Sequence, residues 1–404
     1  VANLAPDYTI TFGANRSGKT IALTNGQITI SNHIAMDASA LAGGLKISGN
    51  NASRVFMINP GVTSVLSGLT ITGGNGAGAA PVANYGGAIF NQGNLTLSNC
   101  FVVANNGFVG GGIFNSPGNR LTLHTCTLAT NSASFGGAIQ NEGVLLADNT
   151  TFNANSGANQ GGAISAPFGS PVGLLQCTVA GNNSGDGGGV LGANIAITNS
   201  IVAGNSATIN PNLSGSFITG GNNLTTGSPL LAALANYGGT TPTMRPLIGS
   251  PAIDAGNDAS AAGLTFDQRG RSRTSGSHVD LGAVEVTTNS VVTTVADSGA
   301  GSLRNILADA EPDYTITFAP ALAGQTIGLT TGSITLDRNL TIDGAGNTIQ
   351  ISGNNLSRIF FVNSGVSAML NRLTLMNGLA SQGGAIQNLG SLTLNQCTFA
   401  GNQD

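Results

Sequence analysis

A Gly-Gly pair followed by a small residue and then Ile or Val returns five times at nearly constant spacing. This recurrence limits the fold more than any other feature. It stands as Gly86-Gly87-Ala88-Ile89, Gly110-Gly111-Gly112-Ile113, Gly136-Gly137-Ala138-Ile139, Gly161-Gly162-Ala163-Ile164 and Gly187-Gly188-Gly189-Val190, in steps of 24, 26, 25 and 26 residues. A second marker, an apolar residue three positions before Asn, follows each one: Val102–Asn105, Leu128–Asn131, Phe152–Asn155, Val179–Asn182 and Val202–Asn205. Between markers the sequence alternates, as in Leu95-Thr96-Leu97-Ser98, which is the pattern of a half-buried strand. One unit of ~25 residues cannot bury its own apolar face, whereas stacked units cover one another. The predicted fold is all-β, a right-handed parallel β-helix of two or three short strands per coil. Asn105, Asn131, Asn155, Asn182 and Asn205 then form a column in which each amide bonds the amide of the next coil.

The cysteines obey the same register. Cys100, Cys126, Cys177 and Cys397 each stand two residues before the apolar residue of the second marker, and the missing rungs hold Thr150 and Ser200. Stacked in-register positions are poorly aimed for a disulfide, and no cysteine has a neighbour at metal-ligand spacing. They are read as buried free thiols packing as small apolar groups, and no metal or cofactor is expected.

A longer period is superposed. Pro6-Asp7-Tyr8-Thr9-Ile10-Thr11-Phe12 recurs as Pro312-Asp313-Tyr314-Thr315-Ile316-Thr317-Phe318, an offset of 306, and Ser48-Gly49-Asn50-Asn51 recurs 304 residues on. The chain therefore reads as one unit of roughly 300 residues and the opening of the next. Residues 1–205 are the coils of the first unit, with the N-terminal cap missing. Residues 206–285 are its irregular C-terminal cap, 286–311 a linker with a capping helix, and 312–404 the first coils of the second unit. Both ends are expected to fall inside a longer array. Eight of the 30 charged residues gather within Asp254–Glu285. Asp267, Arg269, Arg271 and Asp280 are read as an ionic network pinning loops over the open end of the coil, which needs a lid. Leu303, Ile306, Leu307 and Ala310 fall at helical spacing behind Ser302, a suitable N-cap.

Composition narrows the function. Charged residues make up 7% of the chain, the formal charge is −4, and there are 45 asparagines and no Trp. The scattered basic residues give no electrostatic footprint for nucleic acid, and no apolar run reaches the ~18 residues of a membrane-spanning helix. Gly13-Ala14-Asn15-Arg16-Ser17-Gly18-Lys19-Thr20 fits the phosphate-loop spacing, but strand-like rather than helical sequence follows it, so it is read as a chance match. Ser98, His124 and Asp148 occupy one column on three successive coils, in hydrogen-bonding order. They are read as an outward polar ladder, because a flat sheet supplies neither an oxyanion hole nor a pocket.

The GGAI and FxxN markers resemble those of polymorphic outer-membrane proteins and related bacterial surface β-helices. Gly249-Ser250-Pro251-Ala252-Ile253-Asp254-Ala255-Gly256, Asp267-Gln268-Arg269-Gly270 and Val279-Asp280-Leu281-Gly282-Ala283-Val284-Glu285 look like the end of a choice-of-anchor Q domain. The Ser302-Leu303-Arg304 helix before a Tyr-Thr-Ile-Thr-Phe strand is similar to the opening segment of such exported proteins. The resemblance implies a secreted or surface-attached bacterial β-helix and does not imply an enzyme. This stretch holds neither an anchor nor an autotransporter barrel. The first reading of function is a structural repeat unit of a fibre, stalk or filament, whose partners are other copies or units end to end or laterally. The second is an adhesin for glycans or a host surface. The third, less favoured, is a polysaccharide lyase or hydrolase.

Overall fold

The computed structural model describes residues 7–77, 83–287, 290–346 and 348–404. Chain contacts divide it into two units, Val1–Val286 and Thr287–Asp404. In the first unit each coil lays down three strands. Sheet one carries Ile28–Ile30 and Phe56–Ile58 and then the GGxI strands Ile89–Asn91, Ile113–Asn115, Ile139–Asn141 and Ile164–Ala166. Sheet two runs from Tyr8–Thr11 through Asn94–Ser98, Arg120–His124 and Val144–Asp148 to Val172–Leu175. Sheet three stacks eight strands from Lys19–Ala22 to Ile201–Val202. A fourth, shorter ladder joins Ser132–Phe135, Ser156–Gln160, Asn183–Asp186 and Ser206–Ile209. Every strand pairing in these ladders is parallel, as a parallel β-helix requires. Strand Val190–Thr198 has no corner: its start pairs with sheet one and its end with sheet two, which merges the two sheets at this coil.

The glycine pair is now explained. Its first member needs a left-handed backbone: Gly86, Gly110, Gly136, Gly161 and Gly187 have φ between +59° and +72°. Its second member meets the coil above. A Cβ on Gly87, Gly111, Gly137 or Gly162 would lie 2.1–2.4 Å from the carbonyl oxygen of Gly111, Gly137, Gly162 or Gly188 respectively. The alternating strands turn Leu95, Leu97, Leu121, Leu123 and Leu145 inward, each at most 1% exposed, and one continuous core runs from Ile30 to Val202.

Segment 206–285 stacks first on the last coil and then runs back along sheet three. Its first part prolongs the solenoid: Ser206–Ile209 and Leu213–Gly220 extend the parallel ladders, and Leu224 bridges to Ile201. Phe217 and Ile218 remain 41% and 67% exposed on this last coil. The remainder lies along sheet three, fastened to coils well below the end. Thr127 Oγ1 donates to the Pro242 carbonyl at 2.6 Å, Asn149 Nδ2 to the Phe266 carbonyl at 2.9 Å, and Ala283 N–H to Thr178 Oγ1 at 3.0 Å. The later part of the segment is thus a lateral flank. Its polar loops find partners in the outward Thr and Asn columns of sheet three, which an open apolar coil end does not offer.

The second unit restarts the design, with sheets of five, four and three strands. Helix Leu303–Asp309 begins at Ser302, whose side chain accepts from Asn305 N–H, and Leu303, Ile306, Leu307 and Ala310 join the core beneath it. In the linker, Val291–Val292 forms a short strand on the edge of Tyr314–Phe318. The P-loop-like stretch of the first unit forms a single turn at Ala14–Arg16 and then strand Lys19–Ala22, so no helix faces a phosphate there.

Candidate functional site

Two side-chain columns hold the first unit together. In the asparagine column the Nδ2 of Asn105, Asn131, Asn155 and Asn182 donates to the Oδ1 of Asn131, Asn155, Asn182 and Asn205, each at 2.9 Å. Each Nδ2 also donates to a carbonyl one coil back, and each Oδ1 from Asn131 to Asn205 also accepts the backbone N–H of the preceding Asn. Asn205 closes the series on Asn212. Buried amides are costly unless bonded, and these are saturated on both ends. A second ladder, Asn91 to Asn115 to Asn141, runs beside sheet one at 2.8 and 2.7 Å. The reading of the sequence missed it, although an Asn two residues after the Ile of the first three GGxI motifs was the available signal.

Cys100, Cys126 and Cys177 are buried free thiols, and Cys397 is a partly buried one. Each thiol points to a carbonyl of the previous coil, Leu66, Leu97, Ala147 and Leu370, at 3.3–3.4 Å. The hydroxyls of Thr150 and Ser200 fill the alternate rungs and accept from Cys126 and Cys177 N–H. Burial pushes the thiols of Cys100 and Cys177 up to about 12, so they stay protonated and unreactive.

The ionic cluster of the flank is bonded mostly to backbone. Asp267 pairs with Arg269 at 2.9 Å, both side chains fully buried, and accepts the N–H groups of Arg269, Arg271 and Glu285. Asp280 N–H donates to Glu285 Oε2 at 2.8 Å. It accepts the N–H groups of Asp254 and Val286, each at 2.7 Å. Two residues outside the expected set reach the coils. Arg273 bonds Asn149 and the carbonyls of Gly282 and Ala283. Gln268 accepts from Thr151 at 2.6 Å and donates to the Cys126 carbonyl at 2.9 Å. Burial first, and repulsion from a neighbouring carboxylate, push Asp280 up to about 7 and Glu285 to about 8.

On the outer face of sheet two, Ser98, His124 and Asp148 stand in register on successive coils. His124 Nδ1 meets Asp148 Oδ2 at 2.6 Å, and this bond holds the imidazole above its ordinary pKa against partial desolvation. Among the described residues no hydrogen bond joins Ser98 to His124. The next column, Asn99, Thr125 and Asn149, forms one wall of a cleft of about 420 Å³, with Thr240, Phe266 and Asp267 of the flank opposite. Asn99 Oδ1 accepts from both Thr125 and Thr240 at 2.9 Å, which ties the two walls together. Among the described residues no group of three His, Cys, Asp or Glu is placed to hold a metal, and no helix is long and apolar enough to cross a membrane.

No family model matches this chain, and no curated protein matches it. Solved structures that match include the PL6 family alginate lyase AlyGC, at 11% identity over 95% of this chain and 74% of that one, with a TM-score of 0.22. An arginine-to-alanine mutant of that lyase matches at 10% identity over 96% and 76%, with the same TM-score. Similarity at this level carries no argument about activity.

Proposed function

We propose that this chain is a structural repeat unit of a secreted or cell-surface bacterial fibre, stalk or filament. One observation carries the reading: the second unit reopens with the strand and register that open the first. Tyr8, Thr9 and Ile10 pair with Ile34, Ala35 and Met36; Tyr314, Thr315 and Ile316 pair with Leu340, Thr341 and Ile342. Tandem solenoid units add length without adding a new core, because each coil contacts only its neighbours. The partners in this reading are other units or copies, end to end or side by side, and neither nucleic acid nor bilayer insertion has a part in it. The resemblance to polymorphic outer-membrane repeats and to a choice-of-anchor Q unit end agrees with a surface location. Electron micrographs of the purified chain should show rods or fibres, and compact globules would count against the reading. Assays for unsaturated or reducing ends on alginate and pectin should give no product.

An aromatic cluster favours a second reading, an adhesin for surface glycans. Tyr85 packs against Phe114 at 4.7 Å and Phe90 at 6.1 Å, and Phe108 lies 6.0 Å from Phe135. Phe108 is 54% exposed, and such a ring can stack on a sugar face. A glycan array probed with the wild type and with Phe108→Ala tests this reading.

A further inference from the structure

The cleft between the coils and the flank is built on both sides, and every residue that lines it belongs to the first unit. Its coil wall is the column Asn99, Thr125 and Asn149, directly after the strands of sheet two. Its opposite wall is the loop at Thr240 and the hairpin around Phe266, which a bridge between Phe266 and Ser272 closes. The walls are pinned to each other. Thr240 Oγ1 donates to Asn99 Oδ1 at 2.9 Å, Asn149 Nδ2 to the Phe266 carbonyl at 2.9 Å, and Thr241 Oγ1 to the Thr125 carbonyl at 3.3 Å. Gln268 Nε2 adds bonds to the Cys126 carbonyl and to the Thr127 and Thr241 hydroxyls at 2.8–3.0 Å. A cleft fastened at so many points keeps its shape, so a ligand entering it costs little ordering.

The lining is polar but carries no free charge. Its two charged side chains, Asp267 and Arg269, are fully buried and paired with each other at 2.9 Å. Asn99 Oδ1 accepts from the hydroxyls of Thr125 and Thr240. Among the described residues no hydrogen bond occupies Asn99 Nδ2, which leaves an amide donor on the wall. The exposed Thr240 and Thr265 add hydroxyls. Beside them Phe266 is 57% exposed, although Asp267, Gln268 and Arg269 directly after it are buried. A ring left in solvent on a hairpin fixed by hydrogen bonds is a flat apolar platform. The volume, about 420 Å³, falls within the roughly 300–1,000 Å³ of small-molecule sites.

We propose that this cleft binds an uncharged oligosaccharide, with one sugar ring stacked on Phe266 and its hydroxyls bonded to Asn99, Thr240 and Thr265. A sugar presents an apolar C–H face and a rim of hydroxyl groups, which matches an aromatic ring bordered by an amide and hydroxyls. An acidic sugar finds no cation free to pair with it in this lining. The inference rests on the adhesin reading and deepens it by naming the sugar class and the place. Phe108, packed on Phe135 of the fourth ladder, takes no part in this site.

The test is titration calorimetry of the intact chain with cellotetraose, mannotetraose, maltotetraose and, as the acidic counterpart, tetragalacturonate. At least one neutral sugar should bind at one site per chain and more tightly than tetragalacturonate. Phe266→Ala should weaken that binding about tenfold. Asn99→Asp keeps the acceptor for Thr125 and Thr240, replaces the free donor, and should weaken binding about fivefold. The φ of Asn99 is +52°, a backbone that Asp also tolerates, so an unchanged melting temperature should accompany the loss. Phe108→Ala should leave the affinity unchanged. Binding indifferent to both cleft substitutions, or tighter binding of tetragalacturonate, overturns the proposal. Binding that Phe108→Ala abolishes and Phe266→Ala spares overturns this inference and leaves the adhesin reading standing. Absence of binding by all four sugars and on a glycan array overturns both.

Discussion

The strand Tyr-Thr-Ile-Thr-Phe occurs twice, and its two copies live in different environments. Ile316 is fully buried under a helix, whereas Ile10, its counterpart, is 43% exposed. The local sequence and the parallel pairing behind the strand are the same. Helix Leu303–Asp309, which shares its core with Ile316, precedes its strand in sequence and is not part of any coil. A solenoid thus specifies its interior by period and its ends by separate pieces, and the ends are where neighbours are chosen.

Substitutions at the paired positions put that contrast to work. Ile316→Asp buries an unpaired carboxylate and should destabilise the second unit by about 4 kcal/mol or more, seen as early loss of its transition in calorimetry. Leu307→Ala leaves a cavity under the helix and should cost about 3 kcal/mol in the same transition. Arg304→Ala removes the charged partner of Asp297 and should cost about 1.5 kcal/mol. Ile10→Asp, in the open copy, should shift the first unit's stability by no more than about 0.5 kcal/mol. A cost at Ile10 equal to that at Ile316 would mean that Ile10 is buried as deeply as its counterpart.

The pH responses of the two units should run in opposite senses. Burial raises Asp297, but the hydrogen bonds from Thr331, Thr330 and Arg304 together outweigh it and hold the carboxyl well below its ordinary value. A depressed carboxyl contributes stability above its unfolded pKa of ~3.9 and loses it as pH falls below that value. Asp280 and Glu285 are raised to about 7 and about 8, so their contribution is complete below the unfolded value of ~4 and is lost as pH rises from there through the folded values. Melting curves should therefore show the flank of the first unit weakening between pH 5 and pH 9, over a range in which the second unit's opening is unchanged. A first unit equally stable at both ends of that range would mean that the buried carboxylates are ionised throughout.

Much of the solenoid was legible because its contacts are periodic. The second glycine of each pair, the Cys100–Cys126 register and the Asn105–Asn205 column all follow from one repeat length. The flank was not legible, and its physical reason is loop separation. Gln268 meets Thr127 across 141 residues and Arg273 meets Asn149 across 124. No local pattern encodes such pairings, so the charged residues were assigned to the open coil end rather than to the face of sheet three. The His124–Asp148 bond was legible, being set by register alone. The cleft beside it was not, because the flank builds half of it.

The account depends on side chains of successive coils lying directly over one another. Hydrogen exchange at the side-chain amides, followed by NMR, measures this directly. The account predicts that the Nδ2 protons of Asn105, Asn131, Asn155 and Asn182 are protected far beyond the exposed amide of Asn106, and that Asn155→Leu strips protection from Asn131 as its acceptor disappears. Rapid exchange of all four column amides in the wild-type chain would contradict it.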